Sequence, residues 1–250
     1  MSAYTGLAPF YDSLTRDVDY GAFLRFYEQV FDAYGKRPAS VLDLACGTGT
    51  LTCLMAEHGY EMIGVDASSD MLSIAMQKSC ELPVEIRPLF LAQSMQKLDL
   101  YGTVEAAVCS LDCVNYLAHE DLDEMLRRLC LFVEPGGIFI FDVNSVEKLR
   151  SLNGQIFLDE NEDVYCVWRA DMDPSEDYLR YGMDLFCREG DIWTREFEEH
   201  REYLYSVDML KDHLTAAGFG EIQVFGDRRL SPPETGEDRI FLSAKNLRVL

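Results

Sequence analysis

Residues 41–49, which read Val-Leu-Asp-Leu-Ala-Cys-Gly-Thr-Gly, carry the strongest structural signal in this chain. The segment begins as a short apolar strand, passes through two glycines and leads into a helix that begins at about Thr50. Glycines at such a bend permit backbone conformations closed to other residues and let a ligand approach the main chain closely. The helix that follows presents unpaired N–H groups at its first turn. The order of strand, glycine-rich bend and helix predicts the ligand-binding unit of an α/β domain.

Strands and helices alternate along most of the chain. Helical spacing of apolar side chains predicts helices over residues 22–34, from residue 50 to a cap at Gly59, after Ser68, over 122–133 and over 206–217. Short apolar runs predict strands at residues 40–46, 61–65, 86–92, 104–109 and 138–143. Pro88 makes the third of these an edge candidate. Because most strands are apolar on both faces, we expect a doubly wound, mostly parallel sheet covered by helices.

The pattern changes after about Arg150. Residues 164–170, 179–188 and 192–205 are rich in aromatic and β-branched side chains and are separated by turn signals, which predicts a small antiparallel sheet. Residues 222–225 and 240–244 then predict a hairpin that completes the main sheet. We therefore place the main domain at residues 1–150 and 205–250 and an inserted β lid, or substrate subdomain, at 151–204.

Composition limits the class of protein. The chain has 250 residues, of which 48% are hydrophobic, enough for one full domain and a small insertion. No signal peptide is visible, and no apolar run reaches the roughly 18 residues that a membrane span requires. The eight cysteines include no Cys-x-x-Cys pair, so they predict no metal site and favour a reducing compartment. We expect a cytoplasmic protein without membrane contact.

The net charge of −22 bears on possible partners. A field of that sign repels phosphate backbones, so we do not expect a nucleic-acid partner. It mildly favours small, neutral or cationic ligands, although acidity can also serve solubility alone. The sequence indicates no oligomeric state.

Two carboxylates flank the glycine bend. Asp66 ends the next strand, where a carboxylate can accept hydrogen bonds from both hydroxyls of an adenosine ribose. Dinucleotide-binding enzymes place a third glycine where this chain has Thr52. Asp43 lies four positions before Gly47; it would repel a pyrophosphate but attract the amino group of a methionyl moiety, directly or through water. The charges therefore favour a zwitterionic sulfonium ligand over a polyphosphate.

Three segments together resemble class I methyltransferases that depend on S-adenosyl-L-methionine (SAM). Residues 41–49 resemble the first motif of that family, residues 64–72 the second, and residues 131–142 the late motif that enters the fifth strand. Residues 9–20, 111–117 and 141–145 further resemble the bacterial YqeM-like branch. The resemblance implies a seven-stranded Rossmann-like sheet, a β-sheet insertion before the last strands, and SAM as cofactor.

The resemblance also implies roles for individual residues. The methionine end of SAM would contact Asp43, Ala45, Gly47 and Gly49, and its amino group would meet the backbone carbonyls of Cys109 and Ser110. The ribose would contact Asp66, and the adenine would contact Ala67, Met71, Gln93, Ser94 and Met95. Tyr11 and Tyr20 would close over the cofactor. The branch commonly has aspartate where Ser94 stands. Since a serine hydroxyl accepts a hydrogen bond without charge assistance, we expect weaker cofactor binding.

Methyl transfer from a sulfonium is an in-line displacement, so most of the catalysis can come from positioning. A general base is needed only for an acceptor that carries a proton. Asp112 and Tyr116 follow the fourth strand, and His200 lies on the insertion; these are the candidate catalytic residues, with His200 the best base by residue type. Tyr116 could instead belong to the core, and His200 could lie at a solvated strand edge. The insertion aromatics, such as Trp168, more often pack a sheet than form a cage for a methylated amine.

Two other functions remain open at this point. One is a nicotinamide-dependent oxidoreductase, against which Thr52 and Asp43 count. The other is a cofactor-binding or partner-binding module without turnover, whose acidic surface would dock a basic protein. The best-supported function is transfer of a methyl group from SAM to a small-molecule acceptor.

Overall fold

The computed structural model describes residues 7–173 and 175–249. The strands are β1 (Ser40–Leu44), β2 (Glu61–Asp66), β3 (Leu89–Ala92), β4 (Val104–Cys109), β5 (Val133–Asn144), β6 (Ile156–Glu160), β7 (Val164–Asp171), β8 (Tyr178–Glu189), β9 (Ile192–Tyr203), β10 (Phe219–Phe225) and β11 (Arg239–Asn246). The α-helices are α1 (Tyr11–Leu14), α2 (Tyr20–Ala33), α3 (Thr50–Glu57), α4 (Ser69–Ser79), α5 (His119–Phe132), α6 (Val146–Ser151) and α7 (Val207–Ala217). In this part of the chain no helix combines the length and the apolarity needed to cross a bilayer.

The main sheet has seven strands in the order β10-β11-β5-β4-β1-β2-β3. Strands β1 to β5 run parallel to one another, and the hairpin β10–β11 adds antiparallel pairing next to β5. This confirms the predicted doubly wound fold, and β3 is an edge strand as Pro88 suggested. In this order β1 has β2 on one side and β4 on the other, so the direction in which strands are added reverses at β1. The carboxyl ends of β1 and β4 therefore form the switch point at which such sheets bind ligands.

Helices cover both faces of this sheet because each has one apolar stripe. On α2 the buried face contains Phe23, Phe26 and Tyr27. The ring centroid of Phe26 lies 4.7 Å from that of Phe241 on β11 and 5.6 Å from that of Phe225 on β10. Aromatic pairs at these separations add to area burial, so they hold α2 against the hairpin edge.

A second sheet follows α6 and is antiparallel, in the order β6-β7-β8-β9. Three strands were expected here, and the structure adds β6. The inner face of this second sheet packs against the N-terminal segment. The contact is made by a buried cluster of the insertion and by Leu7, Phe10, Tyr11 and Leu14. The insertion and the N-terminal segment therefore form one layer over the carboxyl edge of the main sheet. The domain boundaries near residues 150 and 205 remain a prediction.

Several predicted strand bounds were wrong, and for β3 and β5 the structure shows why. Strand β3 begins at Leu89 because residues 84–86 form a 3-10 turn ahead of Pro88. Strand β5 begins at Val133, five residues before the expected start, since the Pro-Gly-Gly segment 135–137 is carried as an irregularity in its pairing with β4. A Cβ at Gly137 would lie 2.7 Å from the carbonyl oxygen of Glu105, which explains the glycine at this close approach.

Candidate active site

A cavity of about 980 Å³ opens at the carboxyl ends of β1, β2 and β4. The glycine bend and the loops after β2 and β4 form its floor, and α1 with the inner face of the insertion forms its roof. A space of this size can enclose a nucleoside-sized ligand together with a second small molecule.

The two glycines of the bend serve different purposes. Gly47 has φ +55° and lines the cavity, and a Cβ placed there would meet no atom within 4 Å. Gly49 has φ +71°, and a Cβ there would lie 2.8 Å from the Cβ of Ala75 and 3.1 Å from the ring of Phe90. Gly47 therefore leaves room on the ligand side, whereas Gly49 permits close packing between α3, α4 and β3.

The carboxylate of Asp66 closes the bend from β2. Its Oδ2 accepts from the N–H of Gly47 at 2.9 Å and its Oδ1 from the N–H of Ser68 at 2.8 Å. Burial raises the pKa of Asp66, and these backbone hydrogen bonds oppose the rise. Each carboxylate oxygen has two lone pairs, so Asp66 retains capacity to accept from ligand hydroxyls in the cavity that it lines.

Asp43 lies behind the bend and does not line the cavity. It is 2% exposed and accepts a hydrogen bond from the hydroxyl of Thr52 at 2.6 Å. Burial raises the pKa of Asp43 to about 7; the Thr52 hydrogen bond lowers it and the charge of Asp66 raises it. Thr52 thus occupies the position of the third glycine as the partner of a buried carboxyl group, and Asp43 can reach a ligand only through its field or through water.

Most residues predicted to bind the cofactor line this cavity: Tyr11, Ala45, Gly47, Asp66, Ala67, Met71, Gln93, Ser94 and Met95. The others, Tyr20, Asp43, Gly49, Cys109 and Ser110, do not. The Ser110 hydroxyl lies 2.7 Å from the Tyr27 phenol, and the Cys109 thiol faces the Met95 sulfur at 3.8 Å. Burial raises the pKa of Tyr20, which lies behind the lining.

The loop after β4 forms the far end of the cavity and has a strained backbone. Leu111 and Asp112 have φ of +60° and +54°, values unusual for residues other than glycine. Buried Asp142 accepts from both of their N–H groups, at 2.9 and 3.0 Å. Arg239 bridges Asp142 and the Oδ1 of Asp112, the latter at 2.6 Å. Asp112 therefore lines the cavity as an ion-paired carboxylate, which makes it a weak candidate for a base.

The other two catalytic candidates, Tyr116 and His200, also line the cavity. His200 is 5% exposed, so it does not lie at a solvated strand edge. Its Nε2 is 3.2 Å from Oε2 of Glu198, and its ring meets that of Tyr116 edge to face, with centroids 6.0 Å apart. A carboxylate on one ring nitrogen orients the imidazole, as the positioning of a general base requires.

The comparisons with known proteins agree with this geometry. A family of methyltransferase domains matches residues 41–137. The chain is 30% identical to the putative methyltransferase YqeM of Bacillus subtilis (strain 168), over 99% of this chain and 98% of that protein. The crystal structure of an S-adenosylmethionine-dependent methyltransferase from Clostridium acetobutylicum ATCC 824 matches with a TM-score of 0.85 and 28% identity, over 98% of this chain and 99% of that one.

The chain belongs to the SAM-dependent methyltransferases. It is similar to YqeM along its whole length, which confirms the predicted family, cofactor and enzyme class. The nicotinamide oxidoreductase alternative is wrong.

The residues of the cavity fit SAM. Gly47 leaves open space beside the bend, and the Asp66 carboxylate points to a polar ligand with hydroxyl groups. Ala67 and Met71 supply apolar walls, as an adenine requires. When bound, SAM supplies a methyl group already activated by its sulfonium charge. Within the described ranges no three His, Cys, Asp or Glu side chains are placed to hold a metal ion.

A hydrogen-bond network attaches the methyltransferase roof to its floor, and the sequence did not single out its buried Glu202. Asn115 is buried; its Oδ1 accepts from the N–H of Asn144 at 2.9 Å and its Nδ2 donates to the carbonyl of Tyr203 at 2.9 Å. Glu202 on β9 accepts from Nδ2 of Asn144 at 2.9 Å. Burial raises the pKa of Glu202 to about 8, and the charge of Asp112 adds to the rise. No local pattern could reveal this network, since its members lie in the turn after β4, on β5 and on β9.

The N-terminal segment of the methyltransferase is attached through Asp12. Its carboxylate accepts from Thr48 of the bend at 2.6 Å and from Nζ of Lys78 on α4 at 2.8 Å. This cluster places α1, and with it Tyr11, over the bend. The signal in the sequence is weak, because the three residues lie in three separate segments.

Proposed function

We propose that this methyltransferase transfers a methyl group from SAM to a small-molecule acceptor held between the loop after β4 and the insertion. The observation that supports this acceptor position is the buried His200, which lies on the cavity wall beside Tyr116 and is hydrogen bonded to Glu198. In this proposal Asp66 and the bend hold the cofactor, and the roof brings the acceptor into line.

The reaction needs few functional groups from the protein. A lone pair of the acceptor forms a bond to the methyl carbon while the carbon–sulfur bond breaks and its electron pair remains on sulfur. An acceptor that carries a proton gives it to His200, whose positive charge Glu198 then stabilises. The remaining catalysis comes from orientation and exclusion of water, because the roof covers the reacting groups.

A small acceptor fits the enclosure better than a macromolecule. The cavity is bounded above by α1 and by β6, β7 and β9, and it offers about 980 Å³ in total, part of which SAM would occupy. The net charge of −22 disfavours nucleic acid. Cys53, Cys109 and Cys130 are buried and reduced, in accordance with a cytoplasmic enzyme.

The test uses SAM with a labelled methyl group and a small-molecule extract of a bacterial lysate. We expect label in species that pass a filter with a cut-off of about 3 kDa, a mass far below that of a folded domain. His200→Gln should lower the rate by roughly 10²- to 10⁴-fold for a proton-bearing acceptor while SAM affinity stays unchanged. His58→Gln, a change at an exposed histidine paired with Glu28, is the matched control. Label confined to macromolecules would contradict the small-acceptor proposal, and full activity of His200→Gln would contradict the role of His200.

A further inference from the structure

The proposed function leaves the chemical class of the acceptor open. The charges on the cavity wall favour one class over the others. Resting on that function, we propose that the acceptor is an amine, and that Asp159 and Trp168 form the subsite that receives its positive charge. This pair is called the amine subsite below.

The cavity has three carboxylates besides Asp66, and two of them are already paired. Asp112 is bound to Arg239 at 2.6 Å. Glu199 lies between two arginines, with its Oε1 3.5 Å from Arg201 and 3.7 Å from Arg180. These ion pairs cancel most of the charge that the two carboxylates would present to a ligand.

Asp159 is the third carboxylate, and its charge is not compensated in this way. It is half-buried on β6 and lines the cavity. Within residues 7–173 and 175–249 its carboxylate forms no hydrogen bond and no ion pair. The charge of Asp159 also acts on Cys166, which faces it on β7. Burial raises the pKa of the Cys166 thiol to about 12, and the charge of Asp159 is the next largest cause of the rise. A half-buried carboxylate without a partner on a cavity wall is a site for a cation.

Trp168 supplies the second part of the amine subsite. It faces Phe157 across the β6–β7 pair, while Asp159 faces Cys166, so Trp168 and Asp159 are diagonal neighbours on one face of the sheet. Tyr181 meets Trp168 edge to face, with centroids 6.4 Å apart, which fixes the indole orientation. The indole lines the same cavity. An aromatic face beside a carboxylate is the arrangement that binds ammonium groups.

The chemistry of the transfer favours the same acceptor class. An ammonium acceptor first loses a proton to His200, and the nitrogen lone pair then bonds to the methyl carbon as the carbon–sulfur bond breaks. The product is an N-methylammonium and neutral S-adenosylhomocysteine (SAH), so the positive charge moves from sulfur to nitrogen. Asp159 stabilises the charge where it arrives. A phenolate or carboxylate acceptor would be repelled by the same group.

The experiment measures binding to the complex of the full-length protein with SAH, by calorimetry. The probes are matched sets that share a skeleton: phenethylamine, phenethyl alcohol and phenylacetate; and glucosamine, glucose and glucuronate. At least one cation should bind about tenfold or more tightly than its neutral partner, and the anions most weakly. Asp159→Asn should remove this preference, and Trp168→Leu should reduce it. Glu160→Gln, which removes the same charge from the exposed, opposite face of β6, should leave it intact.

The outcomes separate this inference from the proposed function. If SAH itself does not bind, the proposed function fails. If SAH binds but no cation binds more tightly than its neutral partner, or if Asp159→Asn retains the preference, the amine subsite is overturned while cofactor binding stands. Unchanged SAH affinity in Asp159→Asn would show that the variant is folded.

Discussion

Alanine at Gly49 should mainly lower stability, whereas alanine at Gly47 should mainly weaken ligand binding. At Gly49 the new Cβ would lie 2.8 Å from the Cβ of Ala75 and 3.1 Å from Phe90, at a φ of +71°. The left-handed backbone costs about 1–2 kcal/mol for a residue with a Cβ. Overpacking against a backbone-anchored methyl group costs about 1–3 kcal/mol more. Gly49→Ala should therefore lower the free energy of unfolding by about 2–5 kcal/mol.

At Gly47 only the conformational term applies. Its φ is +55°, and no atom lies within 4 Å of a Cβ placed there. Gly47→Ala should lower the free energy of unfolding by about 1–2 kcal/mol. Because Gly47 lines the cavity, the methyl group would take space beside the bend that the ligand needs. We expect SAH to bind roughly tenfold more weakly or worse, a change of about 1.4 kcal/mol.

Urea unfolding gives the first quantity and calorimetric titration with SAH the second, both at a temperature at which each variant is folded. The slopes of the unfolding curves should match, so that the midpoints report stability. Equal losses of stability in the two variants would refute the assignment of Gly49 to packing. Wild-type SAH affinity in Gly47→Ala would refute the assignment of Gly47 to the ligand side.

Two further predictions concern buried charge. Burial raises the pKa of Asp43 to about 7, against roughly 3.9 in the unfolded chain. Between these two pKa values the native state binds more protons than the unfolded state, so the protein loses stability as the pH rises from the lower value to the higher one. Asp43→Asn should remove the cost of ionising this buried carboxyl group, which is on the order of 4 kcal/mol. The unfolding free energy of the variant should therefore fall less than that of the wild type between pH 5 and pH 8. Parallel plots of unfolding free energy against pH would contradict this. Arg239→Met leaves Asp112 and Asp142 without their cation and should cost about 3–5 kcal/mol in urea unfolding. Arg25→Met, which breaks an exposed ion pair with Asp19, should cost less than about 1 kcal/mol. Equal losses of stability in the Arg25 and Arg239 variants would show that the buried ion pairs of Arg239 stabilise the protein no more than an exposed one.

Much of the fold could be predicted because its signals are local. The strands 61–65 and 104–109 are mostly apolar, and α2 carries aromatic residues at helical spacing, so the hydrophobic pattern alone located them. Strand β6 was missed for a physical reason. Ile156, Phe157 and Leu158 are consecutive and all exposed, so they show neither the alternation of a half-buried strand nor the burial of a core one. Only pairing with β7 makes this segment a strand.

The site was predictable in part for the same reason. Gly47 and Asp66 lie at strand ends whose position follows from the strand–bend–helix order, and both line the cavity. The roles predicted for Cys109 and Ser110 rest on their backbone carbonyls and stay predictions; their side chains lie elsewhere, since the Ser110 hydroxyl faces Tyr27 and Cys109 lies in the core. Whether a side chain at a strand end faces a ligand or a neighbouring helix depends on strand twist and helix packing, which a pattern of residue types does not contain.

The sequence by itself determined the cofactor end of this enzyme, because the bend, its glycines and its two carboxylates lie within 26 residues, from residue 41 to residue 66, and their geometry follows from local backbone conformation. Only the tertiary structure decided the acceptor end. Arg239 meets Asp112 across 127 residues of chain, and Asp159 reaches the cavity only because the insertion folds back over the main sheet. Such contacts depend on sheet register and on the docking of one layer on another, and these follow from the summed packing of the whole chain rather than from any segment of it.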